Sequence, residues 1–428
     1  MKRLLMVAFY FPPLGGAGTQ RPAKLVKLAP SFGWSPMVVS VRSMRKLVRD
    51  PSLMADIPEG TPVKRVFAPS CSHLLDPLRW MGLSQLANLG TDLIPVDPEL
   101  VFVPRARAGA VSLMKEYGRP EVVWTTSAPF SSHLVGMALK ARYGIPWVAD
   151  LRDPWTSNVH LSRFDESSRL RAWRKSRDMA LEKRVYEDAD LVTVTSSALR
   201  AHLIETFGVP ANRVLLVRNG FDESDFDGFE QKTTLVDGQN SDNKPFRFLY
   251  AGTIYGKYDI QGFIESLESY LSNTNTPCEF HIFSKSSRRF DDILKAFPRV
   301  REITTINGYI SHASLMKAYE ESHAVVVRCP QELAVAGKVY ELLRAKRPIL
   351  ALSEDAMEMT RIVKECGAGL CVDPMDIPAG RQVIEQLVAQ WQTGNVLPDY
   401  DPHRVQTYSR RAQYTHLFKR LDEMIARP

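Results

Sequence analysis

A chain of 428 residues, 44% hydrophobic and 24% charged, is long enough for two or three cores and too apolar for wholesale disorder. Its net charge of +7 is modest, and no run approaches the about 18 consecutive apolar residues of a spanning helix, which excludes insertion in that form. Five scattered cysteines without a CxxC pair indicate neither a disulfide framework nor a zinc ribbon.

The chain opens with Lys2 and Arg3 before the apolar run Leu4 to Phe9, as short signal sequences do, but no small-residue cleavage site closes it. Pro12-Pro13-Leu14-Gly15-Gly16-Ala17-Gly18 follows, so the expectation is a β-strand feeding a glycine loop in a cytoplasmic protein. Further strands are predicted at 35–41, 63–67, 121–125, 147–150, 191–195 and 214–217. Helices are predicted between them at 19–32, 105–117, 131–143, 167–187 and 197–207. That alternation predicts a doubly wound parallel sheet. Residues 71–94, rich in Leu, Trp and Met, interrupt the rhythm. They read either as a core-packed insertion or as a surface that dips into a bilayer beside the cations Arg169, Arg171, Arg174, Lys175 and Arg177.

Residues 229–245 are polar, without apolar periodicity, and read as a linker after a first domain of 1–228. The α/β pattern restarts over 246–402, with strands at 246–250, 278–284, 303–308, 324–327, 348–352 and 369–372. Residues 403–428 have helical spacing and are expected to form one closing helix, packing back on the first domain. Two α/β domains so joined predict ligand binding in a cleft at the C-terminal ends of both sheets.

Several motifs carry chemistry. Gly15 to Arg21 fails the dinucleotide fingerprint, because Arg21 stands where Gly or Ala is needed and no acidic residue ends the second strand. What remains is backbone N–H groups at a helix start, suited to phosphate or a polar acceptor, or a plain tight turn. In Trp147 to Trp155, Asp150 and Asp153 flank Arg152 just past a strand: they either orient a sugar hydroxyl or pair with one another to fix a loop. His133 reads as a local hydrogen-bonding residue. Gly252 and Lys257 repeat the strand-to-glycine-loop arrangement, with Lys257 able to reach a diphosphate. Gly337 and Lys338 open a helix whose N-terminus favours an anion. Glu341, one turn on, either accepts hydrogen bonds from ribose hydroxyls or forms a surface (i, i+3) pair worth about 0.3 kcal/mol. Asp188-Ala189-Asp190 has a metal-nucleotide form but lies at the wrong sheet end, and no HExxH or GxSxG occurs.

Taken in order, FPPLGGAGTQR, ADLRDPW, VTVTSSALRAHL, VRNGFD, YAGTIYGK and GKVYELLRAKRPILAL resemble the GT-B glycosyltransferases of the retaining family four, over nearly the whole chain. The resemblance implies two facing Rossmann-like domains with a cleft between them. It implies Lys257 and Lys338 at the donor diphosphate and Glu341 at the ribose, with Gly252, Gly337 and Asn219 of the VRNGFD turn completing the donor set. Asp150, Arg152 and Asp153 would form the catalytic set near the reacting sugar, and Gly16, Gly18 and Arg21 the acceptor or phosphate loop. Transfer would proceed with retention and without a metal or other cofactor, by same-face substitution. A nucleotide-sugar would be the donor and a glycan or lipid-linked molecule the acceptor, in cell-envelope polysaccharide biosynthesis. The protein would be cytoplasmic and peripheral on the inner face of the membrane, with no nucleic-acid partner. Two positions depart from the family pattern: Leu333 stands where the first of two glutamates is usual, and Thr253 where an Arg commonly follows the loop glycine. A non-catalytic nucleotide-sugar or glycan binding subunit, and an epimerase on the same fold, are the alternatives.

Overall fold

The computed structural model describes residues 1–42, 47–158, 169–229, 244–252, 254, 260–285, 287–329 and 332–426. The chain divides into two units, Met1–Arg218 with Gln413–Pro428, and Asn219–Ala412.

In the first unit the order is β1 (Lys2–Ala8), α1 (Ala17–Leu28), β2 (Trp34–Val41), β3 (Val63–Val66), α2 (Asp76–Trp80), α3 (Ser84–Leu93), α4 (Phe102–Tyr117) and β4 (Val122–Thr126). Then come α5 (Ser132–Tyr143), β5 (Trp147–Leu151), α6 (Arg169–Asp188), β6 (Leu191–Val194), α7 (Ser197–Phe207) and β7 (Val214–Leu216). All seven strands pair in parallel, in the order β3-β2-β1-β4-β5-β6-β7. Near-continuous apolar runs such as LLMVA and VVWTT suit strands covered on both faces. The order reverses between β1 and β4, so the loops leaving these two strands diverge and open a crevice at their C-terminal ends. On one face α5 lies so close that a Cβ at Gly136 would sit 2.1 Å from the Trp147 indole nitrogen, which donates to Thr125 Oγ1 at 2.8 Å. Only glycine allows that approach.

The second unit runs β8 (Phe246–Ala251), α8 (Gln261–Leu271), β9 (Cys278–Phe283), α9 (Ser287–Leu294), α10 (Pro298–Glu302), β10 (Thr304–Asn307), α11 (His312–Glu321) and β11 (Ala324–Arg328). It continues with α12 (Lys338–Ala345), β12 (Ile349–Leu352), α13 (Glu358–Glu365), β13 (Gly369–Val372), α14 (Ile377–Gln392) and α15 (Pro402–Gln406). Its six parallel strands are ordered β10-β9-β8-β11-β12-β13, with the reversal between β8 and β11. Successive residues of β8 serve opposite faces: Leu249 joins the core under α12 and α13, while Phe248 and Tyr250 join the one under α8 and α14.

Two boundary expectations change. The first unit ends at Arg218, not 228, because the turn Asn219 to Asp222 packs within the second unit. A Cβ at Gly220 would meet the Tyr408 carbonyl at 2.4 Å, and Arg410 donates its N–H to the Phe221 carbonyl at 2.7 Å. Of the linker expected at 229–245, residues 230–243 lie outside the described residues. The closing segment is not one helix: α15 ends at Gln406, and α16 (Arg410–Ile425) crosses from the second unit into the first at Gln413. There Tyr414, Leu417, Phe418 and Leu421 are buried against Leu4, Met6, Trp34 and Trp124. Phe418 stacks on Phe32 with ring centroids 4.8 Å apart.

Residues 71–94 are no core insertion. Within α2, α3 and the turns beside them, Leu74, Trp80, Met81, Leu83, Leu86, Leu89 and Leu93 are exposed, Trp80 by 83%. Ala87 is buried, so α3 uses its small residue inward and turns Leu86, Leu89 and Leu93 outward as one (i, i+3, i+7) stripe.

Candidate active site

In the first unit the switch point gathers the glycine loop and the ends of β4 and β5. Gly16 has φ +96°, a conformation that side chains strain to adopt. A Cβ at Gly18 would stand 2.8 Å from a guanidinium nitrogen of Arg152 and 3.3 Å from the Tyr10 ring, so the loop closes over Arg152 only because this residue is glycine. Arg152 donates to the carbonyls of Ser127 and Ala128, the latter at 2.9 Å, which pins β5 to the exit of β4. Burial pulls its pKa down, with Asp153 and Asp150 opposing, and Asp153 lies half-buried beside it. Burial, then the charge of Glu99, pushes the Tyr10 hydroxyl up to about 12 against the pull of Arg152, which keeps it protonated as a donor.

Asp150 and Arg21 lie deeper than a ligand-facing role requires. Asp150 is fully buried and accepts from Arg21 Nη2 at 2.7 Å, Thr193 Oγ1 at 2.6 Å and Thr126 Oγ1 at 2.8 Å. Burial alone would raise its pKa; the Arg21 charge and these bonds outweigh it and hold the carboxyl below its ordinary value. Arg21, expected at the ligand edge of the loop, is 2% exposed and also donates to the Val217 carbonyl at 2.9 Å. A guanidinium this dry needs a carboxylate, and Asp150 supplies it. The pair therefore fixes α1 to the β5 end. Trp155, stacked on Phe130 at 4.9 Å, and Thr156, donating its N–H to Glu182 at 3.1 Å, anchor the far side of the ADLRDPW loop. His133 bonds Thr125 at 2.8 Å, and burial lowers its pKa to about 4, so it is a neutral core residue.

In the second unit two motifs separated by more than 80 residues meet. Lys338, first residue of α12, bends back so that its ammonium group bonds the Ala251 carbonyl at the end of β8 and stands 5.4 Å over the Tyr250 ring. A Cβ at Gly252 would come 3.0 Å from that ammonium, while one at Gly337 would meet nothing within 4 Å. Burial lowers the Lys338 pKa to about 8, with Glu341 the largest opposing influence. Glu341 is 8% exposed, which removes the premise of a surface pair, and its Oε1 lies 3.1 Å from His312 Nε2. Lys257 and Thr253 lie outside the described residues, and Asn219 sits in the turn tied to Tyr408 and Arg410. The departure at Leu333 stands, with Glu332 exposed beside it. A half-buried cation, a buried carboxylate and the α12 N-terminus form an arrangement suited to a diphosphate with hydroxyls one helical turn away.

Sequence reasoning missed Tyr10, Tyr250 and His312. Tyr10 and Tyr250 each sit at the end of the strand before a glycine loop, a signal available in the sequence; His312, 29 residues from Glu341, has none.

Residues 36–220 match the family described as a glycosyl transferase 4-like domain. Sucrose-phosphate synthase from Thermosynechococcus elongatus has a similar structure, with a TM-score of 0.69 at 18% identity over 100% of both chains. So has a glycosyltransferase from Rickettsia africae, with a TM-score of 0.66 at 13% identity over 100% of this chain and 99% of that one. Anabaena HepE in complex with UDP-glucose matches with a TM-score of 0.66 at 12% identity, over 99% of this chain and 100% of that one. At such identities the likeness establishes the GT-B fold. No curated protein matches the chain in sequence.

Proposed function

We propose that the chain is a glycosyltransferase, built on a GT-B frame with residues 36–220 matching a glycosyl transferase 4-like domain, and that it moves a sugar from a nucleotide-sugar to a glycan or lipid-linked acceptor with retention. The observation that carries the donor half is the convergence of Lys338, Glu341 and Gly252 at the start of α12. In the reaction, the bond from the sugar's anomeric carbon to the diphosphate breaks while the acceptor oxygen joins that carbon on the same face. The departing phosphate oxygen takes the acceptor's proton. Negative charge grows on the diphosphate, where Lys338, the α12 N-terminus and, by the sequence pattern, Lys257 offset it without a metal. Arg152, Tyr10 and the Gly16 to Gly18 backbone supply donors for the acceptor or the sugar hydroxyls, Asp153 orients Arg152, and Asp150 positions the set through Arg21. That HepE was solved with UDP-glucose supports a nucleotide-sugar donor.

A peripheral position on the inner face of a membrane, in cell-envelope polysaccharide synthesis, completes the proposal. Its support is the exposed apolar surface of α2 and α3, with Leu170 and Trp173 of α6 also exposed. Arg174 of α6 bonds the Ile94 carbonyl, and Asp178 accepts the Val96 N–H at 3.4 Å, so α6 is fastened to the end of α3. The helices α4, α5 and α6 carry 3, 2 and 7 Lys and Arg against 1, 0 and 4 Asp and Glu, an excess equal to the chain's entire formal charge. Cations beside apolar side chains match an anionic lipid surface.

The test is nucleotide release from UDP, GDP, ADP and dTDP sugars with a membrane-lipid extract, for wild type and Glu341→Ala. Release from one donor, lost in the variant, is expected. Binding without turnover across the panel moves the assignment to a non-catalytic subunit, and no binding at all overturns the donor site.

A further inference from the structure

His312 is the first residue of α11, behind a cap in which the Ser311 hydroxyl accepts the Ser314 N–H at 3.1 Å. That cap fixes where the helix begins and so where the imidazole projects. Its Nε2 lies 3.1 Å from Glu341 Oε1, with only 12% and 10% of the two side chains exposed. An ionised carboxylate only accepts, so this nitrogen carries the proton and donates it. Two turns on along the same face of α11, at (i, i+7), Tyr319 is fully buried with a hydroxyl that bonds no described residue. Burial first and the charge of Glu341 second drive its pKa well above the ordinary value, which marks the carboxylate as close. One face of α11 thus borders Glu341 with an N–H donor at its start and a phenol deeper in, while Lys338 stands one turn before it on α12.

We propose that His312 is a positioning residue that holds Glu341 as an acceptor for a vicinal diol, and that through it the donor site selects ribonucleoside diphosphate sugars over 2′-deoxyribonucleoside ones. The inference rests on the donor-site reading above and narrows it to a substrate class. An ionised carboxylate has about four acceptor positions, of which the imidazole N–H takes one and sets the side-chain rotamer. A fixed carboxylate meets the 2′- and 3′-hydroxyls of a ribose without first losing its own rotational freedom. In a site this dry, a 2′-deoxyribose leaves acceptor capacity unmet, and sites built to hydrogen-bond a hydroxyl discriminate strongly against analogues that lack it.

The experiment is isothermal titration calorimetry on the full chain. The probes are whichever of UDP, GDP and ADP binds most tightly, with its 2′-deoxy and 2′,3′-dideoxy counterparts. The variants are wild type, His312→Ala, His312→Gln, His312→Leu and Glu341→Gln. Wild type should prefer the ribonucleotide at least about tenfold, the weight of one hydrogen bond to a charged group. In His312→Ala the ribonucleotide should weaken about tenfold while the dideoxy form is unchanged, so the preference collapses. His312→Gln, which restores an N–H donor, should recover most of it, and His312→Leu, which fills the space without a donor, should lose it as His312→Ala does and serves as the test if the alanine variant does not fold. Equal weakening of all three ligands in His312→Ala, or no weakening, overturns the role of His312. Should Glu341→Gln keep the full preference, or should no ribonucleotide bind to wild type, the donor-site reading falls as well. Collapse in Glu341→Gln alone leaves that reading standing and removes His312 from it.

Discussion

Lys338 is held by burial at a pKa of about 8, so its charge changes just above neutrality. In the free protein it is a cation below that value and loses its proton as pH rises through it. The affinity for a nucleotide-sugar, whose diphosphate does not titrate near neutrality, should therefore decline as pH rises above 8, approaching tenfold per unit. Titration calorimetry from acid to alkaline buffers checks this, and Lys338→Arg should abolish the decline; a flat wild-type profile would exclude Lys338 from the diphosphate site. At this scale the sequence disclosed unevenly. The glycine loop after β1 was legible as a loop, which Gly16 turns at φ +96° and Gly18 brings against Arg152, whereas the burial of Arg21 was not. Its partner Asp150 lies 129 positions away, and a guanidinium beside a glycine loop looks the same in sequence whether it faces a ligand or a buried carboxylate. His312 was invisible for the same reason: its contact with Glu341 exists only once α11 and α12 are packed.

Among the elements, the strands of the described residues lie where the apolar runs placed them, and the central ones, such as β1, β4 and β5, are buried on both faces and leave an uninterrupted signal. The short helices α2 and α3 escaped assignment: five and ten residues long, they carry Leu and Trp on a face that no described residue covers. Composition could not separate an inward from an outward apolar stripe there, since both are written with the same residues. The outward stripe predicts that replacing Trp80 and Leu83 together by Ser leaves the melting temperature within a degree or two, as exposed substitutions do. Co-sedimentation with phosphatidylglycerol-containing vesicles should fall about tenfold, from the apolar area withdrawn from lipid. A lowered melting temperature with unchanged vesicle binding would return these residues to a structural role.

Over the whole molecule, the two-domain plan was legible because the strand-helix alternation stops and restarts, but its boundaries were not. The first domain was expected to run to 228, whereas the division falls at a tight turn whose glycine packs against Tyr408, and at a point inside α16. Phe418 tests the second crossing. It is 1% exposed between Phe32 and Trp34, so Phe418→Ala should cost about 3–5 kcal/mol. Although the whole second unit separates Phe418 from Phe32 and Trp34 in the sequence, that loss belongs to the first unit alone. Calorimetry with tryptophan emission, to which six of the seven tryptophans contribute from the first unit, should show its transition moving down while the second unit's stays; a shift of the second transition alone would refute the assignment.

The return of α16 also orders events on the ribosome. The sheet of the first unit is synthesised early, yet Tyr414, Leu417, Phe418 and Leu421, which cover one of its faces, emerge only after the second unit has been made. Until then Leu4, Met6 and Trp124 lack part of their cover, and the nascent chain carries an apolar sheet face of the kind that chaperones bind. The oldest part of the polypeptide is thus among the last to reach its finished state, and a ribosome stalled anywhere within the second unit would hold an incomplete first one.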